Sequence, residues 1–112
     1  MDATLKAKWL EALRSGKYAQ TSGQLRLGNC FCCLGVLCDI FNPKGWDTPK
    51  NSSYSYEWFY GEGPDESREV GVLPHAFRIS SGISSDLQDR LISLNDDGAP
   101  FSEIAAYIEA NL

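Results

Sequence analysis

The stretch Cys32-Cys33-Leu34-Gly35-Val36-Leu37-Cys38-Asp39-Ile40-Phe41 carries one charge in ten residues, and nothing else in the chain is as apolar. Such a segment has to be buried, so the rest of the fold must be arranged around it. Its length alone does not separate helix from strand. Its spacing does: Leu34, Leu37, Cys38 and Phe41 share one helical stripe, which Cys33, Val36 and Ile40 widen. A buried helix is therefore expected. Gly35 costs about 1 kcal/mol of helix propensity there, which predicts that it permits close packing by a neighbour. Asn42-Pro43-Lys44-Gly45 breaks the helix.

With 112 residues, 43% of them apolar, the chain is long enough for one core. A chain of this size buries roughly two-thirds of its unfolded surface, so neither metals nor disulfides are needed to staple it. A single domain over 1–112 is expected. No apolar run approaches the ~18 residues that span a bilayer, and Met1-Asp2-Ala3-Thr4 has no basic region leading into an apolar stretch. A cytoplasmic protein is expected.

Before the apolar segment, Leu5, Trp9, Ala12 and Leu13 recur at helical spacing, with Asp2 or Thr4 as cap and Gly16 as terminator. Lys17–Leu27 reads as two short extended pieces around Ser22-Gly23, with Leu25 and Leu27 on one side of a half-buried strand. Residues 43–67 form a long excursion punctuated by Pro49, Asn51-Ser52-Ser53 and Gly61. Within it, Tyr54, Tyr56, Trp58 and Tyr60 share a face under period-two alternation, opposite Ser55, Glu57 and Phe59. A second strand at Arg68–Val72 would complete a hairpin. Pro74 opens a short helix through Ile79, and Asp86–Asn95 and Ser102–Asn111 supply two more.

Fifteen acids against ten bases give a net charge of −5, divided unevenly: residues 1–50 carry +3 and residues 51–112 carry −8. Phosphate contacts dominate affinity for nucleic acid, so direct nucleic-acid binding is disfavoured. An acidic surface is instead suited to basic patches on protein partners.

No catalytic constellation stands out. Cys30-x-Cys32-Cys33-x4-Cys38 lacks the paired knuckles of a zinc site, and buried, reduced cysteines acting as small hydrophobes are expected, with Cys30 the one open to redox chemistry or a disulfide. His75 has no nucleophile or orienting acid placed beside it by the sequence. Glu62/Asp65/Glu66 and Asp96/Asp97 sit in turn-like contexts and read as solvated or capping groups. Leu94–Ala105 looks like the opening of a helix-turn-helix, but no recognition helix follows within the 112 residues, so a helical hairpin closing the core is expected. The binding candidates are the aromatic face Tyr54, Tyr56, Trp58 and Tyr60 and a polar strip of Lys17, Tyr18, Gln20, Gln24 and Arg26, with Arg14. Tyr, Trp and Arg dominate interface hot spots. In a small-molecule reading, Arg14, Lys17 and Arg26 pair with the phosphates of a nucleotide-like ligand while Trp58 or Tyr60 stacks on its base.

Lys8-Trp9-Leu10-Glu11-Ala12-Leu13-Arg14-Ser15-Gly16-Lys17-Tyr18-Ala19-Gln20, Gly23-Gln24-Leu25-Arg26 and Cys32-Cys33-Leu34-Gly35-Val36-Leu37-Cys38-Asp39 resemble a family of small uncharacterised proteins from tailed phages and prophages. Leu94-Asn95-Asp96-Asp97-Gly98 with Phe101-Ser102-Glu103-Ile104-Ala105 resembles that family's C-terminal signature. Cys30 is additional to the pattern, and Phe77–Ser85 departs from it. The resemblance implies a phage accessory protein in the host cytoplasm and transfers no catalytic residue.

The expected architecture is α+β: a small antiparallel sheet packed against an N-terminal helix, a buried cysteine-bearing helix and C-terminal helices. The expected function is non-enzymatic, without cofactor: binding of a host protein in an anti-defence or host-takeover role. Sequestration of a nucleotide-like ligand stands second, and a metal-dependent or cysteine-based enzyme last.

Overall fold

Asp2 starts the first helix by accepting the Leu5 N–H at 2.8 Å, and α1 then runs Ala3–Arg14. The computed structural model describes residues 1–47 and 54–112, so the expected turns at Pro49 and Asn51–Ser53 lie outside the described residues. Trp9, Leu10 and Leu13 form the buried stripe of α1, and the Trp9 indole N–H donates to the Cys33 carbonyl at 2.9 Å. The chain leaves the helix at Ser15 and turns at Gly16, whose φ of 74° is left-handed.

The apolar segment is the helix its spacing predicts. It forms α2, Cys33–Phe41, with Cys32 as an extended N-cap whose thiol accepts the Gly35 N–H at 3.4 Å. Every residue from Cys33 to Cys38 is buried, and α1 and α4 pack against it. Gly35 has the close neighbour its presence implies: a Cβ there would lie 1.8 Å from the Leu25 carbonyl oxygen. The Leu25 backbone rests directly on the helix. Phe41 departs from the expected stripe, since the helix ends as it emerges from the core and leaves Phe41 47% exposed.

The sheet is divided in two. β1 (Ala19–Gln20), β2 (Arg26–Leu27) and β3 (Cys30–Phe31) make one, in the order β1-β3-β2, with β1 and β3 parallel. β4 (Trp46–Asp47), β5 (Glu57–Tyr60) and β6 (Ser67–Glu69) make the other, antiparallel throughout. Backbone bonds stitch them together: Tyr56 N–H to Arg26 O at 3.0 Å, Gly28 N–H to Tyr54 O at 2.9 Å and Leu25 N–H to Val70 O at 2.7 Å. Leu25 and Leu27, expected together on one side of a half-buried strand, differ in burial. Leu25 is fully buried, whereas Leu27, beside the turn at Gly28, is exposed.

Three helices close the molecule: α3 (His75–Ser80), α4 (Ser85–Asp96, capped by Ser84 on the Leu87 N–H at 3.0 Å) and α5 (Phe101–Asn111). α5 starts at Phe101 with Pro100 as an extended N-cap, rather than at a Ser102 cap, and no side chain caps it. It lies along α1, where Lys6 donates to the Leu112 carbonyl at 3.0 Å and Arg14 pairs with Glu109 at 3.4 Å. Asn95, buried at the end of α4, ties three elements together: its oxygen accepts from Gln20 Nε2 at 3.0 Å and from the Cys33 N–H at 3.1 Å, and its amide donates to Thr21 O at 2.7 Å. Among the described residues no helix is long and apolar enough to cross a membrane.

Candidate functional site

Aromatic residues from five elements meet in a belt along one side of the sheets. Tyr18 packs edge-on against Phe31 with centroids 5.1 Å apart, and Phe31 against Trp46 at 5.8 Å. Trp46 then meets Tyr56 at 6.4 Å and Trp58 at 6.5 Å. Trp58 stacks with Tyr60 at 6.3 Å, and Phe41 lies 6.0 Å from Tyr60 and 4.7 Å from Phe77. The register Trp46↔Trp58 is what brings the two tryptophans side by side across β4 and β5.

Two polar groups fix the belt. Asp39, the lone charge of α2, accepts the Tyr18 hydroxyl at 2.6 Å and the Trp46 indole N–H at 3.0 Å. Arg26 lays its guanidinium among three rings, 4.2 Å from the centroid of Tyr56, 5.0 Å from Phe31 and 5.4 Å from Trp46. Its Nε donates to the Gly28 carbonyl at 2.7 Å. Each contact removes rotamer freedom from a side chain that remains partly exposed, so the rings are presented pre-organised.

The expected binding residues therefore separate into groups. Tyr18, Arg26, Tyr56, Trp58 and Tyr60 all join the belt, but Trp58 is wholly buried and has no face to offer a base. The stacking role assigned to it fails on that ground. Arg26 is held by three rings and a carbonyl rather than standing open to phosphate. Arg14 lies on the α5 side of α1 with Glu109, and Gln20 is committed to Asn95 and to the Ala99 carbonyl at 2.9 Å. The three cations of the nucleotide reading do not converge. Lys17 instead joins Lys8, Glu11, Tyr18 and Asp39 around an open cleft of about 440 Å³ between the ends of α1 and α2. Trp46, Phe31, Asp39 and Phe41 were missed as site residues. Only Asp39 carried a signal, as the single charge in an apolar helix.

The cysteines are free thiols, with Cys32, Cys33 and Cys38 buried and Cys30 half-buried. Burial pushes the Cys32 thiol from 9.0 up to about 11 and holds Cys33 and Cys38 well above that ordinary value. Burial, and then the hydrogen bond to Asp39 and its charge, push the Tyr18 phenol from 10.0 up to about 12. All four groups are raised in the folded state, so their contribution to stability is complete below the unfolded values and is lost as pH climbs through them. Urea midpoints are expected to be level from about pH 6 to 8 and to fall steadily above about pH 9. A midpoint unchanged at about pH 10.5 would contradict the buried, protonated thiols. Among the described residues no three of His, Cys, Asp and Glu come together as a metal site. His75 is exposed, its Nδ1 3.5 Å from an Arg78 nitrogen.

Fold and site together define a small α+β domain with a pre-organised aromatic face. The chain belongs to a family described as a domain of unknown function, DUF8296, whose model matches residues 1–112. No curated protein and no solved structure matches it.

Proposed function

We propose that this is a non-enzymatic phage accessory protein that binds a host protein through the aromatic belt, in an anti-defence or host-takeover role. The observation that carries the binding reading is the belt itself: Tyr18, Trp46, Tyr56 and Tyr60 are half-buried and Phe41 is exposed, all in one contiguous band. Rigid, partly exposed aromatics are what interface hot spots are made of. The phage assignment is supported by the resemblance of the segments at 8–39 and 94–105. The raised thiols of Cys32, Cys33 and Cys38 count against a cysteine-based enzyme at these three positions, since a thiolate nucleophile needs the opposite shift.

A second reading, binding of a nucleotide-like ligand, is favoured by the cleft at Lys8, Lys17 and Tyr18, whose 440 Å³ falls within the size range of small-molecule sites. One experiment separates the two. Immobilised protein is exposed to bacterial host lysate beside the Phe41→Ser and Tyr56→Ser variants, each first shown to be folded. The protein-binding reading expects a defined host protein retained by the wild type and depleted at least ten-fold by either variant, with no competition from millimolar nucleotides. Equal recovery on all three proteins would sink it, and release by a nucleotide would favour the cleft.

A further inference from the structure

Phe41, Trp58 and Tyr60 have centroids 6.0 to 6.3 Å apart and wall a second cleft, of about 360 Å³, at the end of the belt. Phe77 backs these rings from inside the core, 4.7 to 5.2 Å from each, so they open outward only. With Trp58 buried, the accessible ring surface belongs to Phe41 and Tyr60. Glu62 is the one carboxylate lining the cleft, and neither lysine nor arginine lines it. Glu62 is exposed and, among the described residues, held by no ion pair.

The other end of the belt shows what rings at this spacing accommodate. Phe31, Trp46 and Tyr56, with successive centroids 5.8 and 6.4 Å apart, hold the Arg26 guanidinium at 4.2 to 5.4 Å. Over Phe41 and Tyr60 no cation of the described residues is placed.

We propose that the Phe41–Tyr60–Glu62 cleft receives a guanidinium group, an arginine side chain carried by a basic segment of a protein partner. Ring faces attract a cation through their quadrupole, and a guanidinium suits them better than an ammonium because it is planar and weakly hydrated. Glu62 answers its charge at the rim. The net charge of −5 favours approach of a basic segment. The inference rests on the protein-binding reading and adds the chemistry that the belt recognises.

The test is an NMR titration of the full chain with the peptide acetyl-Gly-Arg-Gly-Arg-Gly-amide and with its citrulline counterpart, which keeps the shape and removes the charge. The ring signals of Phe41 and Tyr60 and the amides of Gly61 and Glu62 are expected to shift with the arginine peptide and not with citrulline. Phe41→Leu, which stays apolar but loses the ring, is expected to weaken binding roughly five-fold. Glu62→Gln is expected to weaken it roughly two- to five-fold, and more at low salt than at high. Equal response to citrulline, shifts centred elsewhere, or unaltered binding by Phe41→Leu would each overturn the proposal. A positive titration with failed lysate capture would remove the host-protein reading alone, and the reverse pattern would remove the arginine cleft alone.

Discussion

Gly35→Ala is expected to lower the melting temperature by roughly 15 °C or more. The added Cβ would sit 1.8 Å from the Leu25 carbonyl oxygen and 2.8 Å from its carbon, both backbone atoms that no rotamer change can move. Relief requires α2 and the Leu25 backbone to separate by more than an ångström. That backbone position is also tied on both sides, its carbonyl accepting the Cys32 N–H at 3.1 Å and its N–H donating to Val70. Alanine gains about 1 kcal/mol in helix propensity, but the loss of packing around Leu25, Leu34 and Val36 exceeds it several-fold. A net cost of about 4 kcal/mol or more would consume much of the ~5–15 kcal/mol that holds a domain of this kind together. Circular dichroism and a thermal melt decide it: a wild-type melting curve would refute the close contact. Gly23→Ala is the comparison, since its φ of 81° is left-handed but nothing lies within 4 Å of the added carbon. It is expected to cost only ~1–2 kcal/mol, the strain of the backbone conformation.

Trp58→Ala is expected to destabilise by about 4 kcal/mol, which would make it a folding variant rather than a binding one. The indole is wholly buried, packs against Phe77 at 4.9 Å and Phe41 at 6.2 Å, and donates to the Asn42 carbonyl at 3.1 Å. Removing it empties a volume that the surrounding rings cannot refill without breaking their own contacts. The Asn42 carbonyl keeps its bond from the Gly45 N–H at 3.0 Å, so the loss is one of packing more than of an orphaned acceptor. Trp58→Phe, which retains a ring, is expected to lose only ~1–2 kcal/mol. Urea denaturation of the two variants checks the ordering; equal midpoints for Trp58→Ala and wild type would place the indole outside the core. Loss of a partner in Trp58→Ala would thus say nothing of the interface, for which Phe41 and Tyr56 are the informative positions.

The longer helices were legible because each repeats its apolar pattern for two turns or more, whereas the six-residue α3 was marked by Pro74 at its start. Trp9 and Leu13 in α1, the run in α2 and Leu91 in α4 are buried where the 3.6-residue period puts them. Gly35 was legible as well, because a glycine in the middle of an otherwise well-formed helix needs a packing reason. The short strands were not. Cys30–Phe31 and Trp46–Asp47 are two residues each, too few for alternation to register, and they are defined only by the segments they pair with. The parallel pairing of β1 with β3 depends on β2 folding back between them in sequence, which no local pattern encodes. The site was half legible for the same reason. Tyr18, Arg26, Tyr56 and Tyr60 do meet in one belt, yet Arg14 finds its partner in Glu109, 95 residues away, and Asp39 acquires its role only when Trp46 is brought over it.

The packing of α5 along α1 sets the order in which the chain can acquire its structure. Leu25 can settle on α2 early, because the two lie within ten residues of one another in sequence. The side of α1 that faces α5, by contrast, stays uncovered until α5 has been made, and Asn95 cannot close its three bonds until α4 docks. Contacts so distant in sequence carry a high loop-closure cost and form late. The nascent chain can therefore pair α1 with α2, through the Trp9 bond to the Cys33 carbonyl, well before Lys6 and Arg14 meet their partners at Leu112 and Glu109.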